Sequence, residues 1–153
     1  MKEEVEAEES FKVLVVATIL DSRTEDALHM LCEHYRVSVP RLRVGVLEGK
    51  TKGVAAVYSV ERKEILAAKR EFLYDPFVMV HEFYHHLRSV SGKHRGTEKQ
   101  ADKFASEFVE AYRRTAARVK AMREAGWTWT SIPGKPHRSP TADHTSSSLS
   151  SSV

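Results

Sequence analysis

The chain has 153 residues, 41% of them hydrophobic and 29% charged, with a formal net charge of +3. That balance suits one soluble globular domain and excludes a wholly disordered or collagen-like chain. Its single cysteine, Cys32, excludes an internal disulfide framework, and its longest apolar run, Val13 to Leu20, falls well below the roughly 20 residues of a membrane helix.

Residues 1–10 hold five glutamates and one lysine and read as a frayed acidic lead-in, unlike the basic start of a secretory signal. A cytoplasmic protein with no membrane partner is the expectation. Phe11 to Leu20 is rich in β-branched residues and reads as a buried strand. Asp21 and Ser22 are capping candidates for a helix over Thr24 to Tyr35, with Ala27, Leu28, Leu31 and Cys32 on one stripe. Cys32 is read there as a core residue. Beyond Pro40, Arg41 to Leu47 alternates basic and apolar residues, the period of a half-buried strand. Residues 49–53 form a turn, and Val54 to Val60 is expected to return as the second strand of that hairpin. Glu61 to Lys63 is the next turn. Glu64 to Lys69 reads as a third strand, although Leu66, Ala67 and Ala68 also suit a helix.

Asp75-Pro76 is a strong helix start, with Asp at the N-cap and Pro at the first helical position. That helix runs to about Val90, where Gly92 stops it. It is apolar nearly all round, which marks it as buried. Thr97 and Gln100 form a capping box that opens a second helix, expected to end at Gly126. The compact domain is therefore residues 11–126. Residues 127–153, with three prolines and a Ser/Thr-rich end, read as a disordered tail in which Trp127 and Trp129 are hydrophobic anchors. Residues 88–123 hold ten Lys/Arg against four acids, a face able to attract nucleic acid or an acidic partner, though a solvated surface is the commoner use.

The buried helix contains His81-Glu82-Phe83-Tyr84-His85. Spacing of i, i+4 puts two imidazoles on one helical face, about 5–6 Å apart at Cβ, where both can bind one Zn²⁺ at roughly 2.0–2.1 Å. Glu82 lies about 100° round the helix, poorly placed as a ligand but well placed to take a proton from water that zinc has acidified. Histidines and a glutamate inside an apolar helix are costly unless something pairs with them. A catalytic site needs a third protein ligand. Arg88 and Ser91 stand where a metzincin would have Gly and His. Glu98, at the edge of the second helix's apolar stripe, and His94, in the loop between the helices, are both candidates. His86 faces elsewhere and reads as structural or exposed, while His29, His34, His137 and His144 have no ligand spacing.

The run Glu98-x-x-Ala101-Asp102-x-Phe104-Ala105 behind His81-Glu82-x-x-His85 resembles the gluzincin metallopeptidases, especially the minigluzincins and the ImmA/IrrE-type peptidases. The resemblance implies an α+β, zincin-like fold. In it a small twisted, mainly antiparallel sheet lies against an active-site helix and a long glutamate-bearing helix. It implies one Zn²⁺ held by His81, His85 and Glu98, with Glu82 as general base and Asp102 orienting a ligand histidine. It also implies an edge strand that pairs with extended substrate, and hydrolysis of peptide bonds in peptides or proteins. The gap of 12 residues between His85 and Glu98 is shorter than in many gluzincins. A third ligand at His94 would shift the resemblance to the SprT-like, DNA-associated proteases. A zinc-binding regulatory protein without protease activity, held to nucleic acid by the basic 88–123 segment, is the reading from a different class.

Overall fold

The computed structural model describes residues 1–47, 53–92 and 96–126. The expected turn over 49–53, His94, the two tryptophans and the tail lie wholly or largely outside the described residues. The chain divides into two units, Met1–Ala116 and Ala117–Val153. The first contains every element that builds the site; the described part of the second is the end of the last helix.

Helix α1 spans Lys2–Leu20 and α2 spans Thr24–Tyr35; the strands β1 (Arg41–Val44), β2 (Ala56–Ser59) and β3 (Glu64–Ala67) follow. A short 3₁₀ turn at Arg70–Tyr74 leads into α3 (Pro76–Val90), and α4 spans Glu98–Glu124. Four helices and a three-stranded mixed sheet make the fold α+β. No helix among the described residues is long and apolar enough to cross a membrane.

Three expectations are corrected. Phe11 to Leu20 is helix, continuous with the acidic segment before it. Its buried residues, Val15, Val16, Thr18 and Ile19, follow i, i+1, i+3, i+4, which is helical spacing, and they enter the core formed with Leu28, Leu31, Phe83 and Phe108. A short apolar run cannot be assigned by periodicity alone. Here the Glu- and Ala-containing segment before it favours helix, and tertiary burial overrides β-branched preference.

The hairpin partner also differs. The sheet order is β1-β3-β2, so β2 pairs antiparallel with β3 across the turn at 60–63, while β1 pairs parallel with β3. With one pairing of each kind, the sheet is mixed rather than mainly antiparallel. As the central strand, β3 buries Glu64, Ile65 and Ala67. That two-sided burial removes the alternation that would have distinguished it from a helix. Edge strand β1 leaves Val44 exposed. The Arg43 guanidinium, 3.3 Å away, pairs with the buried Glu64 carboxylate.

Helix α3 begins as its sequence requires. The Asp75 side chain accepts a hydrogen bond from the Val78 amide at 3.2 Å, and Pro76 occupies the first turn. Met79, Val80, Phe83 and His86 face the core. Helix α4 opens with reciprocal bonds between Thr97 and Gln100, the capping box. Its Ala101, Ala105, Phe108 and Ala111 are buried.

Candidate metal centre

Both histidines sit on the face of α3 that the helix does not give to the core. The i, i+4 spacing sets the His81 and His85 rings 5.0 Å apart between centroids. The first turn of α4 brings Glu98 against them: its Oε2 lies 2.9 Å from His81 Nε2 and its Oε1 lies 3.0 Å from His85 Nε2. One carboxylate thus spans two imidazoles. One turn further along α4, Asp102 Oδ1 lies 2.9 Å from His81 Nδ1. Glu98 and Asp102 are themselves an i, i+4 pair, so α4 presents both carboxylates to α3 on one face.

The donor set fits a divalent cation. An ionised Asp102 accepts only, which assigns the His81 proton to Nδ1 and leaves the Nε2 lone pair facing the Glu98 carboxylate. A lone pair against a carboxylate oxygen at 2.9 Å is repulsive unless a cation or a further proton lies between them. Ligand atoms from His81, His85 and Glu98 all lie within 4.8 Å of one another. In a tetrahedral zinc site, ligands at roughly 2.0–2.1 Å stand about 3.3 Å apart, a spacing close to the 2.9 and 3.0 Å between Glu98 and the two imidazoles. Two imidazoles and a carboxylate are a borderline-hard N/O set that suits zinc. Among the described residues no other group of His, Cys, Asp and Glu meets the same distances.

Glu82 is buried, and its Oε1 lies 3.9 Å from His81 Nε2. It lines a cleft of about 350 Å³ together with His81, Glu98 and Asp102. The rest of the lining is apolar: Val54 to Val57, which lead into and begin β2, and Phe77 and Val78 at the start of α3. Among the described residues, strand β2 is an edge of the sheet, with β3 on its inner side. The cleft therefore combines carboxylate and imidazole groups with apolar residues beside a strand that is at the sheet edge among the described residues.

His86, next in sequence to His85, is fully buried and points into the core. It donates from Nε2 to the Ser38 carbonyl at 2.7 Å and accepts the Tyr58 hydroxyl at Nδ1 at 2.9 Å. Burial lowers its pKa from the usual imidazole value, against the pull of the Ser38 carbonyl. Both nitrogens are committed, so this histidine is structural. Nothing in local sequence signals its partners, because Ser38 and Tyr58 are 48 and 28 residues away.

Several basic side chains of the 88–123 segment have acidic neighbours: Arg113 pairs with Glu110, and Arg114 with Glu9 on α1. His34 is also engaged on the surface, stacked on Phe11 and 3.3 Å from Glu8. Compared with known proteins, the chain matches no family model, no curated protein and no solved structure.

Proposed function

We propose that the chain is a zinc-dependent endopeptidase of compact gluzincin type, with a zincin-like arrangement of edge strand, active-site helix and glutamate-bearing helix. The observation that carries this reading is the convergence of His81 Nε2 and His85 Nε2 on the two oxygens of Glu98, at 2.9 and 3.0 Å.

In this reading His81, His85 and Glu98 hold the ion, and Asp102 fixes the tautomer and orientation of His81. When bound, zinc polarises the peptide carbonyl and acidifies a water. Glu82 supplies the base. Its carboxylate takes a proton from the water as the oxygen bonds to the peptide carbon, then returns that proton to the amide nitrogen as the C–N bond breaks. Burial of Glu82 beside the cleft keeps bulk water from competing for the proton. The β2 edge, which no other described strand pairs, offers main-chain donors and acceptors to an extended substrate, and Val54, Val57 and Phe77 exclude water from its side chains.

Metal analysis and digestion of a mixed peptide pool, with and without chelator, test the assignment. One zinc per chain and chelator-sensitive cleavage are the expected results. A metal-loaded protein that leaves every peptide intact would favour a zinc-binding protein without protease activity.

A further inference from the structure

The position of Glu98 depends on how the start of α4 is held against α3, and Tyr84 takes part in that connection. Tyr84, between Phe83 and the ligand His85 on α3, projects toward α4. Its hydroxyl donates to Gln100 Oε1 at 3.2 Å. That same oxygen accepts the Thr97 amide at 3.3 Å, while the Gln100 amide donates to Thr97 Oγ1 at 3.1 Å. The tyrosine therefore joins the capping box that fixes the first turn of α4, and Glu98 lies inside that box.

The ring is held as firmly as the hydroxyl. It lies 5.3 Å from the Phe104 ring and 6.0 Å from the His85 ring, between centroids. On its remaining side it rests on Gly96. A Cβ built there would come 2.6 Å from Tyr84 Cε1 and 3.1 Å from its hydroxyl oxygen. Gly96 also has φ +86°, a conformation that side chains rarely adopt. Glycine at this position thus permits both the turn into α4 and the close approach of the ring.

We propose that Tyr84 is a positioning residue: by gripping Gly96 and the Thr97–Gln100 box, it sets the register of Glu98 against His81 and His85. This rests on the reading of the site as a metal centre. The residue does not line the cleft. Its effect is on how much of the free protein already holds the carboxylate where both imidazoles meet it.

The test measures zinc affinity by competition with a chromophoric chelator, and melting temperature in the metal-free state. Four proteins are compared: wild type, Tyr84→Phe, Glu98→Ala and the double variant, with a weaker competitor for the last two. Tyr84→Phe keeps the ring and removes one hydrogen bond at the surface. It is expected to weaken zinc binding about threefold to tenfold while shifting the metal-free melting temperature by less than about 3 °C. In the Glu98→Ala background the same change should leave affinity unaltered, because the residue it positions is gone. Gly96→Ala, which forces the ring to move, should weaken binding by at least about tenfold.

Unchanged affinity in Tyr84→Phe would overturn the proposal, as would an equal loss with and without Glu98, which would assign the effect to His85 instead. A wild type that binds no zinc would remove the metal reading and this inference with it. A zinc-binding wild type with an indifferent Tyr84→Phe removes the inference alone.

Discussion

Replacing Asp102 by Ala separates a metal-tuning role from a structural one. The carboxylate lies 2.9 Å from His81 Nδ1, yet its side chain is 57% exposed. An ion pair so open to solvent contributes less than about 1 kcal/mol to stability, so the metal-free Asp102→Ala protein should melt within a few degrees of wild type. Zinc binding should respond more strongly. Without the acceptor, His81 can rotate and can place its proton on Nε2, where it blocks coordination. Loss of such a partner costs about 10–100-fold in metal affinity, or roughly 1.4–2.8 kcal/mol. The exposure of Asp102 argues for the lower end, near tenfold. Asp102→Asn retains an oxygen acceptor and loses the charge, so it should fall between wild type and Ala. Chelator competition and thermal melting of the metal-free forms provide the two readings. Zinc affinity equal to wild type in Asp102→Ala would refute the reasoning, as would an affinity loss matched by a collapse in melting temperature.

Phe83 is fully buried on the core side of α3, and Phe83→Ala should cost about 3–5 kcal/mol in urea denaturation; a cost under about 1 kcal/mol would contradict its place in the core. Burial pushes the Cys32 thiol from 9.0 up to about 11, so thiol reagents at neutral pH should label it only as fast as the protein opens. Burial and the acids Glu8 and Glu107 likewise raise the Tyr35 phenol from 10.0 to about 12. In both cases the fold favours the protonated form. Stability from these groups is thus complete below pH about 9 and is lost as pH rises from 9 toward 12; denaturation midpoints across that range check the sign.

Local chemistry made much of this legible. The Asp75-Pro76 start of α3 and the Thr97–Gln100 box each rest on residues within one turn of one another, and the structure has both. His81 and His85 share a face for the same reason, and the i, i+4 spacing of Glu98 and Asp102 lets α4 present both carboxylates together. Helix α2 keeps its expected bounds, but Asp21 and Ser22 do not cap it: Arg23 is its N-cap, without a side-chain cap bond, and it ends on Arg36 in the left-handed conformation. Long-range choices were not legible. The apolar run in α1 satisfies a strand as well as a helix until its neighbours are known. The pairing of β3 with β1 rather than of β2 with β1 follows from a parallel crossover that no turn signal announces. Gly96 reads as an ordinary loop glycine until the Tyr84 ring is seen against it.

Cleavage of a mixed peptide pool by Glu82→Gln tests the central claim most directly. The substitution keeps the side chain's size and removes its capacity to accept a proton, while His81, His85 and Glu98 are untouched. Zinc content should stay at the wild-type level, and peptide hydrolysis should fall by at least the roughly 10²–10⁴ that general-base catalysis contributes. Cleavage that persists undiminished in a zinc-loaded Glu82→Gln protein would contradict the account.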